Sequence, residues 1–351
     1  MPNNMQLILD AALNDDPNAL RTLLSQGVDI NELSEDCSQT ALHRVVLNHN
    51  ARATEKLLSF GANVNLRLDM KRLAAPLNFG LPDPLYWAVF GQNVDIALLL
   101  VRAKADMEFL LGGTVSALMV ASELGDLRMI EMLLAEGAKI NAKNWIGETA
   151  LLYAVKANKM IAVEKLLSAG ADTFATSAFH KDSPLTLAVF KGYSDIVQRL
   201  LKAGADVNVE NCKGNTALLI ATEKGDIGTM RLLLKAGANK DAQNKQGMSA
   251  LLLAEEADHL EAAKLLVEFG ADVDIRDNDG LSALMYAAKK GNISEVNMLL
   301  SAGSKDTQNA LSAAAAGGHL VVMHRLLEAG ANIDGEDDFG TTPLVACVFY
   351  S

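Results

Sequence analysis

The chain has 351 residues, with 31 Lys and Arg against 43 Asp and Glu for a formal net charge of −12; 50% of it is apolar and 5% aromatic. Apolar content at that level excludes wholesale disorder. The acidic balance argues against a nucleic-acid-binding protein, whose affinity comes from neutralising phosphates.

In chain order, the phrase LLSQGVDIN (23–31) returns as LLSFGANVN (57–65), LLAEGAKIN (133–141), LLSAGADTF (166–174), LLKAGADVN (200–208), LLKAGANKD (233–241), LVEFGADVD (266–274), LLSAGSKDT (299–307) and LLEAGANID (326–334). A weaker copy, LVRAKADME (100–108), carries Lys104 where the others carry Gly. The marker positions are spaced by 34, 43, 33, 33, 34, 33, 33, 33 and 27 residues. A fixed period of this size marks a repeat architecture.

Each repeat has a readable local physics. A polar stretch follows the phrase, and a short helix rich in Ala and Leu then opens, as in TALLYAVK (149–156). Its cap falls on Thr40, Asp83, Ser116, Thr149, Ser183, Thr216, Ser249, Ser282, Asn309 and Thr342. Each has a side-chain oxygen able to accept from the orphan N–H groups of the first turn. Pro84, Pro184 and Pro343 follow at the first helical position, where a missing N–H does no harm. A second helix, such as DIVQRLLKAG (195–204), shows one apolar face and ends at Gly. A lone helix pair of this size cannot bury that face, so neighbours must supply the missing surface.

These residues resemble the ankyrin repeat, whose first helix carries T-P-L-H-x-A. TALHRVV (40–46) is the nearest copy, with TTPLVAC (341–347) and SPLTLAV (183–189) beside it; the signature His is present only at His43. The resemblance covers essentially the whole chain. It implies an all-α solenoid of about ten stacked helix-turn-helix units. It further implies short β-hairpin fingers between units and an inter-repeat hydrogen bond from the signature His. At helix spacings of 8–10 Å the stack would be roughly 80–100 Å long. The chain reads as a single repeat domain over 1–351, with an N-terminal cap near 3–31, repeats to about 334 and an incomplete eleventh repeat over 335–351. The abrupt end at TTPLVACVFYS reads as a fragment of a longer protein.

Two connectors break the period. The stretch 66–82 is about ten residues too long and holds a basic island of Arg67, Lys71 and Arg72. The connector at 304–309 is six residues short, which predicts a notch on the finger side or a junction between two segments of the stack.

No reactive constellation stands out. HExxH is absent, no Cys/His spacing fits zinc, and His319 with His324 is a poor acid–base pair. Cys37, Cys212 and Cys347 lie more than 130 residues apart, which suits a reducing, cytoplasmic setting. No apolar stretch approaches the ~20 residues of a membrane span, and the N-terminus lacks a signal peptide's basic segment. The expectation is therefore a protein partner, with no catalytic residues, metal, small-molecule cofactor, nucleic acid or membrane insertion. By resemblance, the partner would bind the concave face built from finger tips and the ends of the first helices. That register selects Phe90, Leu124, Lys156, Phe190, Lys191 and Lys224, with Trp145 and Ile146 at a finger tip. Exposed aromatic residues are the usual anchors of binding energy. The rivals are a recognition arm of a larger enzyme, the cytosolic arm of a membrane protein, or a bacterial effector acting in a host cytosol.

Overall fold

The computed structural model describes residues 4–35, 39–66, 83–111 and 114–350. The basic island of Arg67, Lys71 and Arg72 lies outside the described residues, as does Cys37. By contact the chain divides into two compact lobes, Met1–Phe179 and His180–Ser351. The first holds α1 (Asn4–Leu13), α2 (Pro17–Ser25), α3 (Ala41–Leu47), α4 (Ala51–Ser59), α5 (Pro84–Phe90), α6 (Val94–Arg102), α7 (Ala117–Leu124), α8 (Leu127–Ala135), α9 (Ala150–Lys156) and α10 (Met160–Ser168). The second holds α11 (Pro184–Lys191), α12 (Ser194–Lys202), α13 (Ala217–Glu223), α14 (Ile227–Lys235), α15 (Ala250–Glu256), α16 (Leu260–Glu268), α17 (Ala283–Lys290), α18 (Ile293–Ser301), α19 (Thr307–Ala316), α20 (Leu320–Glu328) and α21 (Pro343–Tyr350). The architecture is the all-α repeat stack that the periodicity predicts.

Within each lobe a first helix packs on the next first helix, as α7 on α9 and α17 on α19. Second helices do the same behind them, as α4 on α6 and α14 on α16. From α4 onward, the first Leu of the recurring pair is the anchor. Leu57, Leu100, Leu133, Leu166, Leu200, Leu233, Leu266, Leu299 and Leu326 are all fully buried. Burying one such side chain contributes about 1.5–3 kcal/mol relative to leaving it in water.

Eight of the ten expected helix-opening residues hold their helix's first turn. Thr40, Asp83, Ser116, Ser183, Thr216, Ser249 and Ser282 each accept from a backbone N–H three residues on. Thr342 does the same for Val345. Thr149 opens α9 without a side-chain cap bond. Asn309 is a correction, because α19 begins at Thr307, one turn earlier than read from the sequence. Its cap residue, Asp306, makes no cap bond, since that carboxylate is taken by Arg276, Ser282 and Asn309 instead. Within its own repeat, His43 Nδ1 lies 2.8 Å from Thr40 Oγ1 and closes a capping box.

The fingers are tighter than a β-ladder. Among the described residues the only bridges are isolated, Leu111 with Val115 and Arg276 with Ser282. Most of the described fingers are closed by one backbone bond, such as Asn144 N to Glu148 O at 3.0 Å and Asn244 N to Met248 O at 3.1 Å. Successive fingers are then tied tip to tip: Ala178 N donates to Ile146 O, Lys245 N to Lys213 O and Asn278 N to Gln246 O.

The polar end of the recurring phrase proves to be a second tie. Where its last residue is Asn, Asp or Glu, that side chain accepts from a backbone N–H of the next repeat in copy after copy. Asn63 N donates to Asn31 Oδ1, Asp172 N to Asn141 Oδ1, Asn239 N to Asn208 Oδ1 and Asp272 N to Asp241 Oδ1, each at 2.8 Å. The residue two before it accepts from the loop's own backbone, as Asp206 does from Asn208 N at 2.9 Å. At the weak copy, Lys104 holds φ 71, a left-handed geometry that glycine adopts at the equivalent sites.

Asn208→Ala removes one such tie and leaves the Asn239 N–H without its acceptor. The expected cost is about 1 kcal/mol in chemical denaturation. Amide hydrogen exchange at Asn239 should quicken, with little change at fingers beyond its neighbours.

Candidate interaction surface

In the first lobe, Trp145 stands at the tip of the finger between α8 and α9 and is 62% exposed. The finger beneath it is braced. Asn144 Oδ1 accepts from Ile146 N at 3.1 Å and Glu148 N at 2.8 Å, while its Nδ2 donates to Thr114 O at 2.7 Å. The Tyr153 hydroxyl donates to the same Thr114 carbonyl at 3.2 Å. Burial, with the Glu148 carboxylate nearby, pushes the Tyr153 hydroxyl up to about 12. The Trp145 ring meets Phe179 edge-to-face at 5.7 Å. Ile146 is half-buried, and its carbonyl is the acceptor for Ala178.

Phe90 closes α5 and is 52% exposed, stacked on Tyr86 at 6.0 Å and edge-on to Trp87 at 6.2 Å. The spacing of Tyr86 and Phe90 puts both rings on one face of the helix. Leu124 differs from expectation. It is the last residue of α7 and only half open, because the helix runs on to include it. Lys156 ion-pairs with the buried Glu148 carboxylate, so it braces the Trp145 finger as well as facing solvent.

In the second lobe, Phe190 is 57% exposed, and the Lys224 ammonium sits over its ring at 5.2 Å. Lys191 follows in sequence and is exposed. The structure thus pairs Trp145 with Phe179, Phe90 with Tyr86 and Trp87, and Phe190 with Lys224. Phe174 and Phe179, both exposed, escaped the sequence reading. The signal was present for Phe174, which takes the place of the acceptor Asn or Asp in its copy of the phrase.

His319 and His324 serve different ends. His319 Nε2 lies 3.0 Å from Lys289 O, and Gly291 and Gly317 make room for its ring, since a methyl at either would come within 2.5 Å. His324 lies 3.3 Å from Glu328 on the surface of α20. Among the described residues, no group of three or more His, Cys, Asp or Glu could hold a metal ion, and no helix is long and apolar enough to cross a membrane.

Comparison with known proteins agrees with the architecture. The chain matches the family profile described as "Ankyrin repeats (3 copies)" in overlapping windows: 8–110, 85–177, 118–211, 151–244, 185–277, 218–309 and 284–351. The putative palmitoyltransferase ZDHHC13 of Danio rerio is 28% identical over 204 residues, 57% of this chain and 30% of that protein. Ankyrin repeat and SOCS box protein 6 of Homo sapiens is 37% identical over 143 residues, 40% of this chain and 34% of that protein. The chain therefore spans about a third of the length of these curated relatives. The crystal structure of the ankyrin repeat domain of Bcl-3, a member of the IkappaB protein family, aligns with TM-score 0.57 at 28% identity, over 64% of this chain and 98% of that one.

One pair of core positions departs from its own repeats. Glu255 on α15 and Glu295 on α18 occupy places held one repeat away by Thr222 or Ala288 and by Ala262. Glu255 is 1% exposed, and neither of its carboxylate oxygens has a hydrogen-bond partner. Burial, reinforced by the Glu295 and Asp258 carboxylates against the opposing Lys290 ammonium, pushes its carboxyl up to about 8. Lys290 spends its hydrogen bonds elsewhere, on Glu255 O, Glu256 O and Asp258 Oδ1, each at 2.7 Å. An acid whose folded pKa is raised binds its proton more tightly in the folded chain, so stability is undiminished below about 4.5 and falls as pH rises toward 8. Glu255→Gln removes that dependence. The variant should unfold at nearly the wild-type temperature at pH 4.5 and well above it at pH 8, a gain on the order of 4 kcal/mol, read by circular dichroism melts across that range.

Proposed function

Since the chain belongs to the ankyrin-repeat family, we propose that it works as a non-catalytic recognition surface for another protein, contacted through finger tips and the open ends of first helices. The observation that carries this reading is the exposure of Trp145 on a finger whose backbone is fixed on all sides. A large ring held rigid before docking loses little conformational entropy on binding. Its low side-chain entropy cost and large contact area make tryptophan a recurrent hot spot.

In this reading Trp145, Ile146, Phe90, Leu124 and Lys156 contribute contacts from the first lobe, and Phe190, Lys191 and Lys224 from the second. Half-open Leu124 and Ile146 would add apolar area around the aromatic anchors. The acidic net charge favours a protein partner over a polyphosphate. Well-separated cysteines favour a reducing, cytoplasmic setting. A second reading is that this stack is the recognition arm of a longer protein. The length of the relatives favours it, since the chain accounts for 30% and 34% of them.

The test is affinity capture from cell lysate with the wild-type chain and a Trp145→Ala, Phe90→Ala double variant. Both positions face solvent, so the variant should melt within a few degrees of wild type. At least one specific partner should be lost. If every captured protein survives the double change, these rings are not the contact surface.

A further inference from the structure

The shortened connector gives the second lobe a feature that its other repeats lack. Between α16 and α17 the chain takes fourteen residues, 269–282, but between α18 and α19 only five, 302–306. No finger stands there. Its neighbours close part of the gap with side chains: Arg276, from the finger before, ion-pairs both with the buried Asp306 and with Asp338 of the finger after. Asn309 joins the same network, donating to Asp338 at 2.9 Å and accepting from the Asp338 backbone N–H at 2.8 Å.

What remains open is a groove of about 490 Å³. Its floor is the small-residue face of α19, with Ala313, Ala316 and Gly317. Elsewhere in this lobe the ends of first helices present Phe190, Lys191, Glu223 and Glu256. One wall is Leu281 with Met285, and the other is Phe339. Phe339 is 64% exposed and leans back toward the finger before, so that a methyl on Gly280 would lie 3.7 Å from its ring tip. The volume falls in the range of pockets that take small apolar groups.

Carboxylates predominate on the finger side of the groove. The two flanking fingers expose Asp279, Asp334 and Glu336; of the cations near them, Arg276 is paired with Asp306 and Asp338, Lys305 stands exposed on the short connector, and Lys289 lines the groove at its helix end. We propose that this groove receives an extended segment of a partner protein: an apolar side chain between Ala313 and Phe339, with arginine or lysine beside it facing the carboxylates of the two fingers. An acidic segment would meet like charge at Asp279, Asp334 and Glu336. This proposal rests on the reading of the chain as a protein-recognition surface and gives that reading a ligand chemistry.

The experiment selects random dodecapeptides displayed on phage against the immobilised full chain, then measures the enriched peptides by fluorescence polarisation. Ala313→Trp and, separately, Ala316→Trp fill the groove from half-exposed helix positions; a Glu336→Lys, Asp279→Lys variant reverses the rim. Circular dichroism melts confirm that each is folded. The expected result is a consensus of one or two large apolar residues next to Arg or Lys. Such peptides should bind at least tenfold more weakly to either groove-filled variant and to the rim variant, and weaken as salt is raised. An acidic consensus, peptides that bind the filled variants at full strength, or no enrichment at all would overturn the proposal. Peptides that ignore Ala313→Trp yet are lost by Trp145→Ala would remove this groove while leaving the broader recognition reading intact, and the lysate capture judges that reading independently.

Discussion

The fold depends on a bond that no repeat can make alone. In most copies of the LLxxGADxN phrase the closing side-chain oxygen accepts from the backbone of the following repeat, as Asn141 does from Asp172 and Asn208 from Asn239. Hydrophobic burial supplies most of the free energy, through the buried Leu near the end of each second helix from α4 to α20, but burial is non-directional. The polar tie is directional. It sets the distance and rotation at which one repeat meets the next, and the finger-to-finger bonds near residues 146, 213 and 246 keep the same register on the other side. The proposed recognition surface needs that register, because the residues proposed for it come from different fingers.

In the proposed recognition role, register is also what gives Trp145 its value. An indole on a mobile loop would have to be ordered when a partner arrives. Here Asn144 occupies the loop's own donors and reaches to Thr114 in the finger before, Tyr153 bonds that same carbonyl, and Glu148 is held by Lys156. The ordering is done at folding. The same economy explains why Lys156, which reads from sequence as a free surface cation, is in part a structural residue.

Most of the scaffold was legible in the sequence for a simple reason: a motif repeated nine times averages away local ambiguity. Helix pairs, eight of the ten caps and the anchor leucines all follow from period and propensity. What was not legible depends on contacts between residues far apart in the chain. The helix α19 opens at Thr307 rather than after Asn309, and its cap residue Asp306 gives its carboxylate to Arg276, some thirty residues earlier, instead of to the first turn. Leu124 read as open because the helix register could not be fixed to one residue. Phe179 carries no motif at all, and only the fold brings it against Trp145. Glu255 and Glu295 each look like an ordinary polar helix residue until the stack places both in the core.

The missing finger shows how such a stack can change its surface without changing its frame. Removing a finger takes away a tip-to-tip bond and a finger-closing bond, yet leaves the helix faces untouched: Leu299, Leu311 and Leu326 remain fully buried on either side of the gap. The polar tie survives: Asp274 accepts from the Lys305 N–H in the usual way and also from the Ser304 hydroxyl, and on the other side Gln308 substitutes as acceptor for Asn332 N at 2.9 Å. The exposed consequence is confined to one place, where an alanine-rich helix that would otherwise be shaded by a finger is laid open beneath Phe339. Core and tie answer to the neighbouring repeats, whereas a finger tip answers to solvent or a partner. A deletion there costs little in folding and reshapes what the surface can hold.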